Sequence, residues 1–169
     1  EQDMDASSQA KFEYNLHNLG NIMDTYDITV SGKPTDWVVN TENALALDPE
    51  TEEDLSLTVT LPGKTILAGD YNLTLNVKSR ASGEVRTLVY IITVPESYGL
   101  DLQCVQTSKE VKPGEKAQFQ FTLKSESNCE EKFYLTNTGQ STWDSQVTKS
   151  QMTLKPFSSD TLLLETTPP

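Results

Sequence analysis

Polar and apolar residues alternate one by one through short segments of this chain. Residues 11–17 place Phe12, Tyr14 and Leu16 on one face and polar or charged side chains on the other, which is the period of a half-buried strand. Three further segments repeat this alternation, at residues 25–30, 55–61 and 71–77. Turn-forming residues separate them, and no window of useful length keeps a helical stripe. The chain is therefore predicted to be all-β, with short strands packed as a β-sandwich.

The chain also contains an internal repeat. Several identical residues recur at a spacing of 107, and one tryptophan pair recurs at a spacing of 106. The pairs are Phe12 and Phe119, Gly32 and Gly139, Pro49 and Pro156, Leu55 and Leu162, Pro62 and Pro169, and Trp37 and Trp143. A period of this size matches one sandwich domain better than a solenoid repeat. Because a proline closes the last strand of the first repeat, the predicted domains are residues 1–95 and 96–169.

The second repeat is predicted to be incomplete. Pro169 corresponds to Pro62, so the second repeat stops where the first continues through strand segments 71–77 and 88–94. An uncovered strand edge invites pairing with another strand. We expect either that these residues are an excised or partly ordered portion of a longer extracellular chain, or that a strand from another chain completes the second domain by β-augmentation.

Several motifs of the first repeat resemble a known family. They are Asn18-Leu19-Gly20-Asn21, Tyr26-Asp27-Ile28-Thr29-Val30, Trp37, Asp48-Pro49, residues 57–62 and residues 68–75. They are similar to the immunoglobulin-like NEW3 and CARDB-type repeats of archaeal and bacterial surface and secreted proteins. The second repeat keeps residues 111–115, 119–123, Trp143 and 154–156, but it has Ser127-Asn128-Cys129-Glu130 in place of the Asn-Leu-Gly-Asn turn. The resemblance implies tandem immunoglobulin-like β-sandwiches in an extracellular or cell-surface accessory module that is usually not catalytic.

Charge narrows the classes of partner. The chain has 25 acidic and 13 basic residues and a net charge of −12, so the positive surface on which nucleic-acid binders depend is absent. No stretch approaches the roughly 20 apolar residues that span a bilayer, and no membrane insertion is predicted within this segment. Because Glu1 is not preceded by a signal-like stretch, any targeting segment is expected to have been removed or to lie outside these residues. A protein or a cell-surface glycan is the expected partner.

The two cysteines, Cys104 and Cys129, cannot form a four-ligand zinc site alone, and His17 lies far from both in sequence. A disulfide or two inert thiols are the remaining alternatives. If Cys104 begins one strand and Cys129 follows the end of the next, an antiparallel hairpin brings them to the same end of the second domain. We therefore predict a disulfide, which would stabilise the domain by about 3 kcal/mol and fit an oxidising compartment.

No catalytic constellation is evident, so neither an enzyme nor a cofactor is predicted. His17 lies on the outward face of a strand, and the chain has no Gly-x-Ser-x-Gly elbow. The acidic segment 48–54 could supply oxygen ligands to calcium. It lacks the spacing of an EF-hand loop, which favours a solvated acidic loop and no metal site.

Two further features are candidate functional residues. Trp37 and Trp143 occupy equivalent places in the repeats, which favours a packing role, although exposed aromatic side chains would suit a sugar-binding surface. Asn72-Leu73-Thr74 matches the N-glycosylation pattern, and Asn72 is predicted to face outward. The leading hypothesis is a non-catalytic module for structural spacing or protein–protein interaction, working through surface loops and strand faces. The alternative is a carbohydrate-binding accessory module of a secreted enzyme.

Overall fold

The structure, a computed structural model, describes residues 2–3, 9–63, 65–139 and 142–169. Every regular element in these ranges is a strand, and none is a helix. The all-β prediction is therefore confirmed. The chain divides into two compact units, Glu1–Pro95 and Glu96–Pro169. None of the described segments is a helix long and apolar enough to cross a bilayer.

The described residues of the first unit form eight strands in two sheets. They are β1 (Gln2–Asp3), β2 (Gln9–His17), β3 (Asp24–Ser31), β4 (Val38–Asn40), β5 (Ala44–Leu47), β6 (Glu52–Thr60), β7 (Gly69–Ser79) and β8 (Val85–Val94). One sheet has the order β1-β8-β7-β3-β5 and the other has the order β2-β6-β4. All neighbouring strands are antiparallel except β1 and β8.

The core of the first unit is built from both sheets, as in a β-sandwich. Leu57 and Val59 of β6 are fully buried together with Leu73 and Leu75 of β7. Each pair is two residues apart because successive side chains of a strand point to opposite faces. Burying one such side chain stabilises the fold by about 1.5–3 kcal/mol, so the alternating pattern provides most of the driving force for closing the sandwich.

Six strands are seen in the part of the second unit that the structure describes. They are β9 (Leu100–Cys104), β10 (Ala117–Ser125), β11 (Glu131–Tyr134), β12 (Asp144–Val147), β13 (Gln151–Leu154) and β14 (Ser159–Thr167). Four form the sheet β12-β14-β10-β9, and the other two form the sheet β11-β13. The buried core is smaller and consists of Leu123, Phe133, Met152, Leu154 and Leu162.

The repeat seen in the sequence extends to strand register. Phe12 of β2 lies opposite Leu57 of β6, and Phe119 of β10 lies opposite Leu164 of β14. Both members of the second pair are displaced by 107 from the first. The β3–β5 and β11–β13 ladders correspond at the same displacement. These strands therefore pair in the same register in both units, whereas the β12–β14 ladder is displaced by one residue relative to β4–β6.

Even a strained backbone position is repeated. Glu50 has φ 57° and Phe157 has φ 55°, and the two positions are again 107 residues apart. A left-handed conformation costs a non-glycine residue about 1–2 kcal/mol. Each turn is held by a backbone hydrogen bond, from the Glu50 N–H to the Asn18 carbonyl at 2.9 Å and from the Phe157 N–H to the Ser127 carbonyl at 3.3 Å. Neither residue type signals this conformation in the sequence.

The two units differ in which strand edges are covered. In the first unit, β7 and β8 extend the sheet beyond β3, whereas no strand of the described residues pairs with β11 on the side away from β13. In the second unit, β9 covers the edge of β10, whereas β2 has no described strand on the corresponding side. Each unit therefore has one uncovered edge where the other has a strand.

The predicted disulfide is wrong, because Cys104 and Cys129 are both free thiols. Cys104 is the last residue of β9 and lies opposite Phe121, whereas the first residue of β9 lies opposite Ser125. The four positions from Phe121 to Ser125 span about 13 Å of strand, well beyond the roughly 7 Å that a disulfide can bridge. The Cys104 thiol instead donates a hydrogen bond to the Gln106 carbonyl at 3.1 Å, and burial is the main cause that raises the pKa of Cys129.

Candidate functional site

The first candidate site lies on the second unit, and we call it the open face. It consists of the inward sides of Leu100 and Leu102, the ring of Phe121, and the free edge of β11. Leu102 lies opposite Leu123, which is buried, so both side chains are on the core side of the sheet. Leu102 is nevertheless 54% exposed, and Leu100 is 53% exposed. The core-facing leucines of β9 therefore lack a covering layer within the described residues.

A pair of equivalent phenylalanines shows the same difference. Phe12 in the first unit packs against Tyr90 of β8, with ring centroids 4.6 Å apart. Its equivalent, Phe119, has the Lys109 ammonium 5.9 Å from its ring centroid. A flexible lysine thus lies where the first unit has an aromatic ring. This contact leaves the apolar surface around Phe119 available to another aromatic or aliphatic side chain.

The free edge of β11 presents unpaired backbone groups of known direction. The Leu135 N–H donates to the Ser150 carbonyl at 2.9 Å, toward the β13 side. Because hydrogen-bonded and non-bonded positions alternate along an antiparallel ladder, the N–H groups of Lys132 and Tyr134 point away from β13. These two groups form the docking edge for an additional strand.

The second candidate site is a groove of about 690 Å³ at one end of the first unit. We call it the end groove. It is lined by the core-facing side chains of Tyr14 and Leu16 on β2, by Val77 of β7 and by Leu88 of β8. Leu19 and Ile22, which are exposed, also line it. The groove therefore runs beside the uncovered edge of β2 and is mainly apolar.

Asn18 stabilises the turn after β2, which lines one part of the end groove. Its buried side-chain amide donates to the carbonyls of Ile22 at 2.9 Å, Leu47 at 3.0 Å and Asp48 at 3.1 Å. Its carbonyl oxygen accepts from the Gly20 N–H at 3.0 Å and from a tyrosine hydroxyl at 3.1 Å. A buried network with all its groups paired rigidifies a turn. The sequence marked this asparagine only as a turn residue, since its bonds to the Leu47 and Asp48 carbonyls join positions some 30 residues apart.

His17 lies on the wall of the end groove together with Asp24 and Glu84. The Asp24 carboxylate accepts hydrogen bonds from the Ser79 hydroxyl at 2.5 Å and from the Ala81 N–H at 3.0 Å. The Ser79 bond is the largest cause of its lowered pKa. Glu84 forms an ion pair with an arginine at 2.6 Å. Both carboxylates are thus already engaged by neighbouring groups, which suits a structural role better than proton transfer.

The other residues singled out in the sequence are dispersed. Trp37 is 2% exposed and packs on Tyr71 with ring centroids 4.7 Å apart, whereas Trp143 is 41% exposed. Asn72 is exposed on β7, as predicted from the sequence. Its glycosylation stays a prediction. All residues of the acidic segment 48–54 are exposed. The described residues contain no group of three or more side chains arranged to hold a metal.

No family model and no curated protein matches the chain. A solved structure of a Porphyromonas gingivalis W83 protein of unknown function is 15% identical, with a TM-score of 0.39, over 98% of this chain and 78% of that one. The secreted serine protease VesC from Vibrio cholerae is 10% identical, with a TM-score of 0.36, over 99% of this chain and 45% of that one. This chain therefore spans less than half the length of VesC. The YadV chaperone is 9% identical, with a TM-score of 0.35, over 91% of this chain and 77% of that one. At these TM-scores the likenesses support no conclusion about this chain.

Proposed function

We propose that the chain is a non-catalytic interaction module of an extracellular protein, built as two tandem immunoglobulin-like β-sandwiches of the NEW3 or CARDB type. Its second unit binds an extended strand of another polypeptide at the open face. The observation that carries this proposal is the exposure of Leu100 and Leu102 on the core side of their sheet. Exposed apolar surface beside an unpaired strand edge is the combination that strand addition uses.

The first unit indicates what the added strand looks like. There, β7 runs antiparallel to β3 and places Val77 opposite Ile28. Leu73 and Leu75 continue the same inward face and are fully buried. By the repeat, the added strand runs antiparallel to β11 and has apolar residues at every second position. Its main-chain groups bond to the edge of β11, and its apolar side chains cover the exposed leucines of β9.

The proposal is tested with a synthetic peptide of residues 69–80, which contains all of β7 and Arg80, the residue whose N–H donates to the Thr25 carbonyl. Binding to the full chain is measured by isothermal titration calorimetry. A scrambled peptide is the control for composition. A peptide with proline in place of Asn76 is the control for strand pairing, because the Asn76 N–H lies on the side of β7 that pairs with β3 and proline has no N–H. Saturable binding of the natural sequence alone supports the proposal, and equal binding of all three peptides contradicts it.

A matched pair of protein variants locates the interaction. The Tyr134 N–H faces the free edge, so Tyr134→Pro removes one docking donor while leaving the ladder with β13 intact. Tyr134→Ala removes the same side chain but keeps the N–H. We expect the proline variant to bind the peptide at least about ten-fold more weakly than the alanine variant, in line with the loss of one hydrogen bond and a blocked edge. Equal affinities would show that the peptide binds elsewhere.

A further inference from the structure

We propose that the end groove of the first unit is a second, separate peptide site, which takes an extended segment of a partner protein with apolar and cationic residues in alternation. The segment runs antiparallel to β2 along residues 14–18. This site is independent of the open face, since it lies on another unit and on another strand. The inference comes from what occupies the equivalent position in the second unit.

In the second unit that position is filled by β9. It pairs with β10 so that Leu100, Leu102 and Cys104 lie opposite Ser125, Leu123 and Phe121. Subtracting the repeat of 107 gives Asn18, Leu16 and Tyr14 of β2. These three residues line the end groove. The groove therefore lies where a strand in the β9 position would run, and the repeat sets both its direction and its register.

The backbone of β2 is available for this pairing. The Asn18 N–H donates to the Thr51 carbonyl at 2.9 Å, toward β6. By the alternation of an antiparallel ladder, the N–H groups of His17 and Asn15 point to the uncovered side. In the second unit, the corresponding side of β10 is paired with β9. The Glu126 N–H, just after β10, donates to the carbonyl of Gly99, just before β9, at 2.9 Å. Asn15 and His17 are thus the donors to an added strand.

The side chains around β2 define the chemistry of the segment. Residues of the segment opposite Asn18, Leu16 and Tyr14 point into the groove and contact Leu88, which is 47% exposed. This geometry requires apolar side chains at the first, third and fifth positions. A five-residue strand with that pattern covers the exposed leucine and closes the sandwich at this end.

The outward positions of the segment lie opposite His17 and Asn15 of β2. Glu52 and Asp54 of β6 lie opposite these two residues on the other side of β2, so they are two strand spacings, about 10 Å, from the segment. The long side chains of Lys and Arg can span β2 and reach these carboxylates, of which Asp54 accepts a hydrogen bond from the Asn15 amide at 3.0 Å. In the second unit, Lys124, the equivalent of His17, lies opposite Asp101 of β9. Because this face of the first unit carries carboxylates in place of an ammonium, the second and fourth positions of the bound segment are Lys or Arg.

The test uses the full chain labelled for NMR and the peptide acetyl-Leu-Lys-Leu-Arg-Val-amide. We expect amide exchange of Asn15 and His17 to slow on peptide addition, while the amides of Tyr14 and Leu16, which face β6, are unchanged. The control peptide acetyl-Leu-Glu-Leu-Asp-Val-amide should bind about ten-fold more weakly. Because exposed ion pairs are weak, Glu52→Gln and Asp54→Asn should each lower affinity for the cationic peptide by about two- to five-fold.

Variants on β8 provide a matched pair for the groove itself. Leu88→Lys places a positive charge in the groove and should abolish binding of the cationic peptide. Val89→Lys adds the same charge on the opposite face of β8 and should leave binding unchanged, since Val89 is exposed and outside the groove. The proposal is overturned by equal binding of the acidic and cationic peptides, or by equal effects of the two β8 variants. It is also overturned if the peptide slows exchange at Lys132 and Tyr134 instead of at Asn15 and His17. A further refuting result is faster exchange at Asn15 and His17 when the free chain alone is diluted, because this would show that a second copy of the chain occupies the groove.

Discussion

Replacing two equivalent leucines with alanine should destabilise the two units by different amounts. Leu57 on β6 is fully buried, and its equivalent Leu164 on β14 is half-buried. Leu57→Ala removes three buried carbon atoms, worth about 2.4 kcal/mol at 0.8 kcal/mol each, and leaves a closed cavity. The expected loss is about 3–4 kcal/mol. Leu164→Ala removes the same atoms from a site open to solvent, so we expect a loss of about 1 kcal/mol.

Each unit contains one tryptophan, so urea unfolding followed by tryptophan emission can separate the two losses. A Trp143→Phe background leaves Trp37 as the reporter of the first unit, and a Trp37→Phe background leaves Trp143 as the reporter of the second. The control is Thr58→Ala, which changes an outward position of β6 and should alter stability by less than about 0.5 kcal/mol. If Leu164→Ala costs as much as Leu57→Ala, the inner face of the second unit is covered and the reasoning is refuted.

Three other predictions follow from local contacts. Asn18→Ala should lower the free energy of unfolding in urea by about 3 kcal/mol, because it leaves several buried groups unpaired. Asn21→Ala, in the same turn, should lower it little, and similar losses for the two variants would contradict the role of the Asn18 network. Ellman titration of denatured, unreduced protein should find both thiols, of Cys104 and Cys129, and finding neither would restore the disulfide. Stability should fall on acidification below about pH 5, because carboxyl groups with lowered folded-state pKa values bind protons more readily in the unfolded chain. Those groups and their principal hydrogen-bond donors are Asp24 with Ser79, Asp27 with Arg80, Asp160 with Lys149, and Glu165 with Lys116. Thermal melts between pH 7 and pH 3 with a constant midpoint would contradict this.

The alternation of polar and apolar residues predicted the strands but not how every pair of strands aligns. The alternation of Phe12, Tyr14 and Leu16 identifies the inward face of β2, because the side-chain period of a strand is two. It cannot decide how β9 aligns with β10. That register depends on a connection of twelve residues, 105–116, whose Pro113-Gly114 turn signal does not fix how the two strands align. The disulfide prediction failed at this step, since it required Cys104 at the beginning of β9.

The candidate sites depend on tertiary context that a linear pattern does not contain. The repeat indicated that the second unit lacks counterparts of β7 and β8, and this pointed toward the open face. The end groove was missed, although comparing the residues before β2 with those before β10 would have suggested it. The partners of Asn18 and the left-handed backbone of Phe157 could not be predicted, because both depend on turns that meet only after the sheets have formed.

Amide hydrogen exchange along β11, measured by NMR on the full chain with and without the peptide of residues 69–80, tests strand addition at the open face most directly. In the free chain, the amides of Lys132 and Tyr134 should exchange rapidly, and those of Phe133 and Leu135, which face β13, should be protected. On peptide addition, Lys132 and Tyr134 should become protected while the other two change little. Protection of all four amides before the peptide is added, or no change at Lys132 and Tyr134 at saturating peptide, would contradict strand addition at this edge.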